Sequence, residues 1–298
     1  MKTLEPAVSL SLRNILLATD FSPVSGMAVK YAQALAQRHS SRVHTIHVTA
    51  PDSYHLLDPD AFAITFNGTT DAENIPDVLQ SLLEGLPSET PLRQGTIWQV
   101  ISDVVERNEI DLLVLASHGR HGISRMVLGS VAEDVFRNVS CPVLTVGPDV
   151  RPCHRGEMRI KNVLLATHFE HGSLAPMYAA RVCNEFSAEL TLLHVVDGNG
   201  HKGAANLETR RLAQQLYSVV PAEAGLWRQP ACVIKHGLPS AQILDVACET
   251  GADLIVLGAR HPEPAKINSH LPWATAARVI AEAACPVLTV RQRDGYEF

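Results

Sequence analysis

The segment with the clearest chemical content is ASHGRHGISRMVLGSVAEDVFRNVSCPVLTV at 116–146. Its loop from Gly119 to Gly129 contains three glycines (Gly119, Gly122, Gly129) and two arginines (Arg120, Arg125), and it delivers the chain to Ser130. A glycine loop that opens a helix turns backbone N–H groups and the positive end of the helix dipole toward one point, an arrangement that suits phosphate. Ser130-Val131-Ala132-Glu133 also fits a capping box, and capping alone would account for Ser130 and Glu133. His118 is placed to line such a site, whereas His121 reads as an ordinary polar loop residue. Thr19-Asp20 follows a short apolar run, so Asp20 is either a ligand-facing carboxylate at a strand exit or a solvated residue beginning a turn. There is no G-x-x-x-x-G-K-S/T loop, H-E-x-x-H or G-x-S-x-G motif, and no nucleophile with an evident base. Any hydrolysis would rest on positioning and electrostatics and would be slow, so a binding role is favoured over an enzymatic one.

These residues need a scaffold that gathers them, and the hydrophobic pattern supplies one. Ile15–Ala18 and Val43–Val48 read as strands, with Ser22-Pro23 capping a helix between them through Val24, Met27, Ala28, Tyr31 and Leu35. Ile75, Leu79, Leu82, Leu83 and Leu86 form a further helical stripe. A brief strand near Leu92 precedes a helix through Val100 and Val104, Leu112–Ala116 is a fourth strand, Ser130 opens the last helix, and Val143–Val146 is a fifth strand. Strands alternating with helices imply a doubly wound parallel sheet covered on both faces. In such sheets ligands sit beyond the carboxyl ends of the strands, where strand order reverses. The residues just past those ends are Thr19-Asp20, Val48-Thr49 and Ser117-His118-Gly119.

The chain then repeats itself. NILLATDF at 14–21 answers NVLLATHF at 162–169, DLLVLASHG at 111–119 answers DLIVLGARH at 253–261, and CPVLTV occurs identically at 141–146 and 285–290. The order is the same in both halves, so the fold class expected is α/β with two tandem five-stranded parallel-sheet domains at 1–148 and 158–298. Second-half strands are expected near 162–166, 190–195, 231–235, 253–258 and 287–290, with GPDVRPCHRGEM at 147–158 as the linker.

The combination of TDFS at 19–22, IHV at 46–48 and the 116–146 segment resembles the universal stress protein family, over nearly the whole chain and in two copies. ATP-binding members carry G-x-x-G, nine residues, then G-S/T, which falls here on Ala116, Gly119, Gly129 and Ser130, with alanine in place of the first glycine. The resemblance implies a Rossmann-like fold of the adenine nucleotide alpha hydrolase type. It also implies ATP, with or without Mg²⁺, as ligand. Asp20 and the Val48 backbone would stand at adenine, with Thr19 beside them. Ala116, Gly119, Gly129, Ser130 and Val131 would surround the ribose and phosphates, with His118 lining the site, while Arg120 and Arg125 either screen phosphate charge or are solvated loop residues. It further implies that fifth strands lie at sheet edges, so the two CPVLTV strands are expected to pair within the chain.

The second copy departs from this pattern. His168 replaces the aspartate, Trp273 stands where Gly129 does, Ala274 where Ser130 does, and Pro262, Pro264 and Pro272 remove N–H donors. His168, His194, His236 and His261 fall near strand carboxyl ends, a pattern compatible with a small metal or anion site, although His194 matches His47 and so reads as a shared packing residue.

Net charge is −6 without a basic cluster, which argues against nucleic acid. No apolar run approaches the roughly 18 residues of a membrane helix, and a cytoplasmic protein is expected. The six cysteines form no C-x-x-C pair and mostly sit in apolar patterns as buried thiols, with Cys153 the exposed exception. Two readings remain: an ATP-binding stress-response regulator acting on an unnamed protein partner, or a paired scaffold without nucleotide. Further dimerisation, and closure of 51–74 over the site as a lid, are left open.

Overall fold

The computed structural model describes residues 10–19, 25–49, 88–89, 92–94, 96–117, 135–136, 138–151, 158–169, 172–196, 205–259 and 272–291. The expected helix through Ile75–Leu86, the Ser22-Pro23 cap, the opening of the last first-half helix at Ser130, the 51–74 segment and Cys153 lie outside these residues.

The first half contributes β1 (Asn14–Ala18), α1 (Ser25–His39), β2 (Arg42–Thr49), β3 (Ser88–Glu89), β4 (Leu92–Gln94), α2 (Ile97–Arg107), β5 (Leu112–Ala116) and β6 (Val143–Val146). The second contributes β7 (Asn162–Ala166), α3 (Ala175–Phe186), β8 (Glu189–Val196), α4 (Ala205–Val219), β9 (Ala231–His236), α5 (Pro239–Thr250), β10 (Leu254–Ala259), α6 (Pro272–Glu282) and β11 (Val287–Arg291). Ile15, Leu16 and Leu17 of β1 are fully buried on alternating faces, as a central parallel strand requires. On one face Ala28, Ala32 and Ala36 let α1 lie close to the sheet. On the other, Ile101, Val104 and Val105 of α2 make the covering stripe.

One eleven-stranded sheet runs β3-β2-β1-β5-β6-β11-β10-β7-β8-β9, with β4 also pairing β2. Where a brief strand near Leu92 was expected, β4 pairs with β2, His47 opposite Leu92, and β3 pairs with β2 as well, Val43 opposite Ser88. The sheets of the two halves are continuous. The described pairings within each half are parallel, but β6 and β11 join antiparallel, Val287 opposite Thr145, Leu288 opposite Leu144 and Thr289 opposite Val143.

That joint is the expected meeting of the CPVLTV strands, and it buries two edges that would otherwise template aggregation. Polar contacts reinforce it. Thr289 Oγ1 donates to the Val143 carbonyl at 3.3 Å, and Arg291 Nη1 donates to the Val139 carbonyl at 3.1 Å. Arg38 of α1 pairs with Glu185 of α3 at 2.8 Å and lies 4.3 Å above the Phe186 ring. Each apolar cluster draws residues from both halves, with Leu144 and Leu288 in one and Val143 and Val287 in the other.

Candidate functional site

Strand order reverses beside β1. Its chain successor β2 lies on one side and β5 on the other. The crevice beyond the carboxyl ends of these strands is therefore the place for a ligand. The opposite, amino-terminal ends are clamped: Asp111 Oδ2 accepts from the backbone N–H of Arg13 at 2.6 Å and of Asn14 at 2.9 Å. Asp253 does the same for Lys161 at 2.7 Å and Asn162 at 3.0 Å. These clamps hold first and fourth strands in register, Ala18 opposite Leu115 and Ala166 opposite Leu257. The two aspartates stand at equal places in the repeated strings, and that repetition is the signal by which the sequence could have revealed them.

At the carboxyl ends, the exits of β1 and β5 are fixed to their neighbours. Thr19 N–H donates to the Ile46 carbonyl at 3.1 Å, and Ser117 N–H donates to the Val146 carbonyl at 2.9 Å. Both residues are buried. His47 Nδ1 lies 2.9 Å from the Thr19 carbonyl oxygen, and since a carbonyl only accepts, Nδ1 carries the proton. Val48 follows directly and packs with Ala18 and Trp98 against the second apolar cluster. Ala116 packs against the first cluster, on the α1 side of the sheet.

Of the ten candidate site residues, Thr19, Val48 and Ala116 are described, and the sheet brings them to the same edge of three consecutive strands, β2, β1 and β5. Asp20, His118, Gly119, Arg120, Gly129, Ser130 and Val131 lie outside the described residues, although Val135, Phe136 and Val139 after the loop are buried in the second cluster.

The second half repeats the framework with different fittings. Thr167 N–H donates to the Leu193 carbonyl at 2.9 Å, and His194 Nδ1–H donates to the Thr167 carbonyl at 2.9 Å. His194 thus shares the role of His47 at the strand exit. Phe169 then takes a left-handed conformation, φ 64°, its N–H donating to Thr167 Oγ1 at 3.1 Å and its ring centroid 4.2 Å from that of His194. A bulky residue with positive φ needs such anchoring. His168 and His236 are exposed, and His261 lies outside the described residues. Among the described residues, no group of three or more His, Cys, Asp or Glu side chains is arranged to hold a metal ion.

Burial pushes the Cys183 and Cys285 thiols up to about 12, so neither offers a thiolate near neutral pH. Cys248 of α5 is exposed, unlike the buried thiol its apolar surroundings in sequence imply. Among the described residues, no helix is long and apolar enough to cross a membrane.

Comparison with known proteins agrees with the repeat. The model of the universal stress protein family matches residues 11–147 and again residues 159–291. A universal stress protein of Methanocaldococcus jannaschii is 29% identical over 143 residues, covering 45% of this chain and 81% of that protein. One from Thermus aquaticus is 30% identical over 135 residues, covering 45% of this chain and 98% of its own length. Among solved structures, a universal stress protein from Archaeoglobus fulgidus superposes with a TM-score of 0.68 at 20% identity, covering 96% of this chain and 98% of the other.

Proposed function

Because the chain belongs to the universal stress protein family, with its domain in tandem, we propose that it is an ATP-binding regulatory protein of the stress response whose first domain, residues 1–148, holds the nucleotide. The second domain, residues 158–298, serves as a degenerate structural copy. The observation that carries this reading is the placement of Thr19, Val48 and Ala116 along one edge of the reversal point between β1 and β5. Those three residues lead directly into, or belong to, the segments that the ATP-binding pattern requires. Asp20 and the Val48 backbone hold adenine. Gly119, Gly129, Ser130 and Val131 offer N–H groups to ribose and phosphates, with His118 lining the site and Arg120 offsetting phosphate charge.

The alanine at position 116 fits this reading. Its side chain packs against the apolar cluster on the α1 side, whereas the helix after the glycine loop packs on the opposite face. The additional methyl is thus accommodated by the core. ATP binds with or without Mg²⁺, and turnover is slow or nil for want of a general base. In the second domain, His168, Trp273 and Ala274 replace the residues needed for the same ligand.

A competing reading has a specific observation in its favour. The β6–β11 joint alone explains why the domain is doubled, and a paired scaffold for a protein partner needs no nucleotide. Calorimetric titration of MgATP into the wild type, Asp20→Ala and Gly129→Trp separates the two. The nucleotide reading expects one-to-one binding, weakened in Asp20→Ala and abolished in Gly129→Trp. Absence of heat, with no nucleotide retained through purification, would leave the scaffold.

A further inference from the structure

Among the described residues, β9 is the last strand at its end of the sheet, paired with β8 from Thr191 opposite Ala231 to Val196 opposite His236. Just past its end, Gly237 N–H donates to the Val196 carbonyl at 3.1 Å. Backbone groups of successive residues in a strand point to alternate sides. Val233 and Lys235 are therefore bonded toward β8, while Cys232, Ile234 and His236 direct their N–H and C=O groups outward. β9 offers 6 residues along this edge. At the other end of the sheet β3 and β4 offer only 2 and 3, the short form in which edges are commonly kept from pairing with another chain.

A lysine on an edge strand ordinarily repels a second strand. Here Lys235 is drawn back against α5, its Nζ 3.0 Å from both carboxylate oxygens of Glu249. Before the amino end of β9, Arg228 is likewise paired with Glu189. Both cations beside the edge are thus met within one subunit, and the exposed side chains around it are apolar. Trp227, just before β9, is 54% exposed, and Leu238, just after it, is 57% exposed. Tyr217 of α4 is also exposed and lies beside the Cys232 thiol. Within the strand, Cys232 and Ile234 pack on the α4 side and Val233 on the α5 side.

We infer that this edge is an interface for a second copy of the same chain, the two β9 strands pairing antiparallel about a two-fold axis at Ile234. A two-fold axis perpendicular to the sheet keeps each face on its own side, so residues opposite one another share a face. With Ile234 opposite its own copy, Cys232 meets His236 and Val233 meets Lys235, and the two lysines do not face each other. The outward residues then exchange about six backbone hydrogen bonds. Centring on Val233 instead would set His236 against Pro230, which has no N–H to give, so the Ile234 register is preferred. Opposed strand directions bring Trp227 of one copy toward Leu238 of the other. A strand from another protein could meet the same backbone, but a second copy supplies the apolar side chains at both ends as well. The chain already uses this device once, in the antiparallel joint of β6 and β11. The interface is independent of nucleotide.

The test is sedimentation of the full chain over a range of concentrations, as wild type, His236→Pro, Leu238→Asp and Leu207→Asp. His236→Pro removes an outward N–H and leaves the bonds to β8 in place. Leu238 stands at the N-cap of α5 without a side-chain bond, so aspartate there supports the fold while setting a charge against Trp227 of the second copy. Leu207 is exposed too, but it lies half a turn round α4 from the buried Leu216 and so points away from the sheet. The expected wild type has the mass of two chains, and His236→Pro and Leu238→Asp each weaken association by about tenfold or more. Leu207→Asp associates as wild type. Amide exchange at Cys232, Ile234 and His236 slows as concentration rises, whereas Val233 and Lys235 are protected throughout. A wild type with the mass of one chain at every concentration overturns the inference, and is the result expected where the edge serves a strand of another protein. A dimer that survives both edge variants overturns it as well, as does one lost equally in Leu207→Asp.

Discussion

Gly147 follows β6 at the joint between the halves, and its substitution by alanine tests how tightly that joint is packed. A Cβ built at Gly147 would stand 2.7 Å from the carbonyl oxygen of Ile280, near the end of α6, and 3.8 Å from both the Ala283 carbonyl and Val150 Cγ2. The obstructing atom is backbone, and Ile280 and its neighbour Val279 are themselves buried, so no flexible side chain can swing aside. Relief requires a shift of about half an ångström in β6 or α6, and overpacking of this kind costs about 1–3 kcal/mol. Reduced freedom of the unfolded chain returns about 0.4–1 kcal/mol. A net loss of about 1–2 kcal/mol is expected for Gly147→Ala. Gly26→Ala is the matched comparison, because nothing lies within 4 Å of its added Cβ and it occupies the first turn of α1. That variant should gain about 0.4–1 kcal/mol. Urea unfolding followed by tryptophan fluorescence and by far-ultraviolet circular dichroism would measure both. If Gly147→Ala proves as stable as Gly26→Ala, the close packing of the joint is refuted.

Two other perturbations follow from backbone and burial. Glu109 takes φ 47° after α2, at the place where Gly251 takes φ 59° after α5, and both turns close with an N–H bonded five residues back, Ile110 to Val105 and Ala252 to Ala247. Glu109→Gly relieves the left-handed cost at an exposed site and should stabilise by about 0.5–1 kcal/mol, while Gly251→Ala should destabilise by a similar amount; melting temperatures check both. Burial lowers the pKa of His39, outweighing the attraction of Glu185, and the charge of Arg38 acts in the same direction as burial. The unfolded chain therefore takes up this proton first. The His39 contribution is fully present above about pH 6.5 and is lost as pH falls toward the folded value. Urea midpoints at pH 7.5 and pH 5 should differ less in His39→Gln than in wild type.

Much of the scaffold was legible because it depends on short-range pattern. The apolar runs NILLA and NVLLA suit strands covered on both faces, and the duplicated CPVLTV run marked the repeat, while the meeting of its edges was what the family resemblance implied. The pairing of Ser88–Glu89 with β2 escaped that pattern, since two polar residues make no apolar run. The bonds at the site were less legible still. Periodicity places His47 on one face of β2 but says nothing of the carbonyl it meets, which belongs to a strand 28 residues away in sequence. Asp111 and Asp253 each clamp a strand more than 90 residues distant, and Arg291 reaches Val139 across the joint. Cys248 was misread for the same reason: its apolar neighbours Val246 and Ala247 pack inward, while the next position turns toward solvent.

The two halves also show where divergence within one chain is energetically affordable. Aspartate clamps, the strand-exit carbonyl bonds of His47 and His194, and the left-handed turns after α2 and α5 occur in both. Each ties backbone groups at the ends of strands and helices, and a hydrogen bond of this kind contributes about 0.5–1.5 kcal/mol. The replacements that separate the halves lie outside the strands in sequence: Asp20 against His168, Gly129 against Trp273, Ser130 against Ala274. In the proposed function those positions serve a ligand, and none of them belongs to a strand of the eleven-stranded framework. Because β6 and β11 join those frameworks into one sheet, each half buries an edge of the other whatever residues follow its strands.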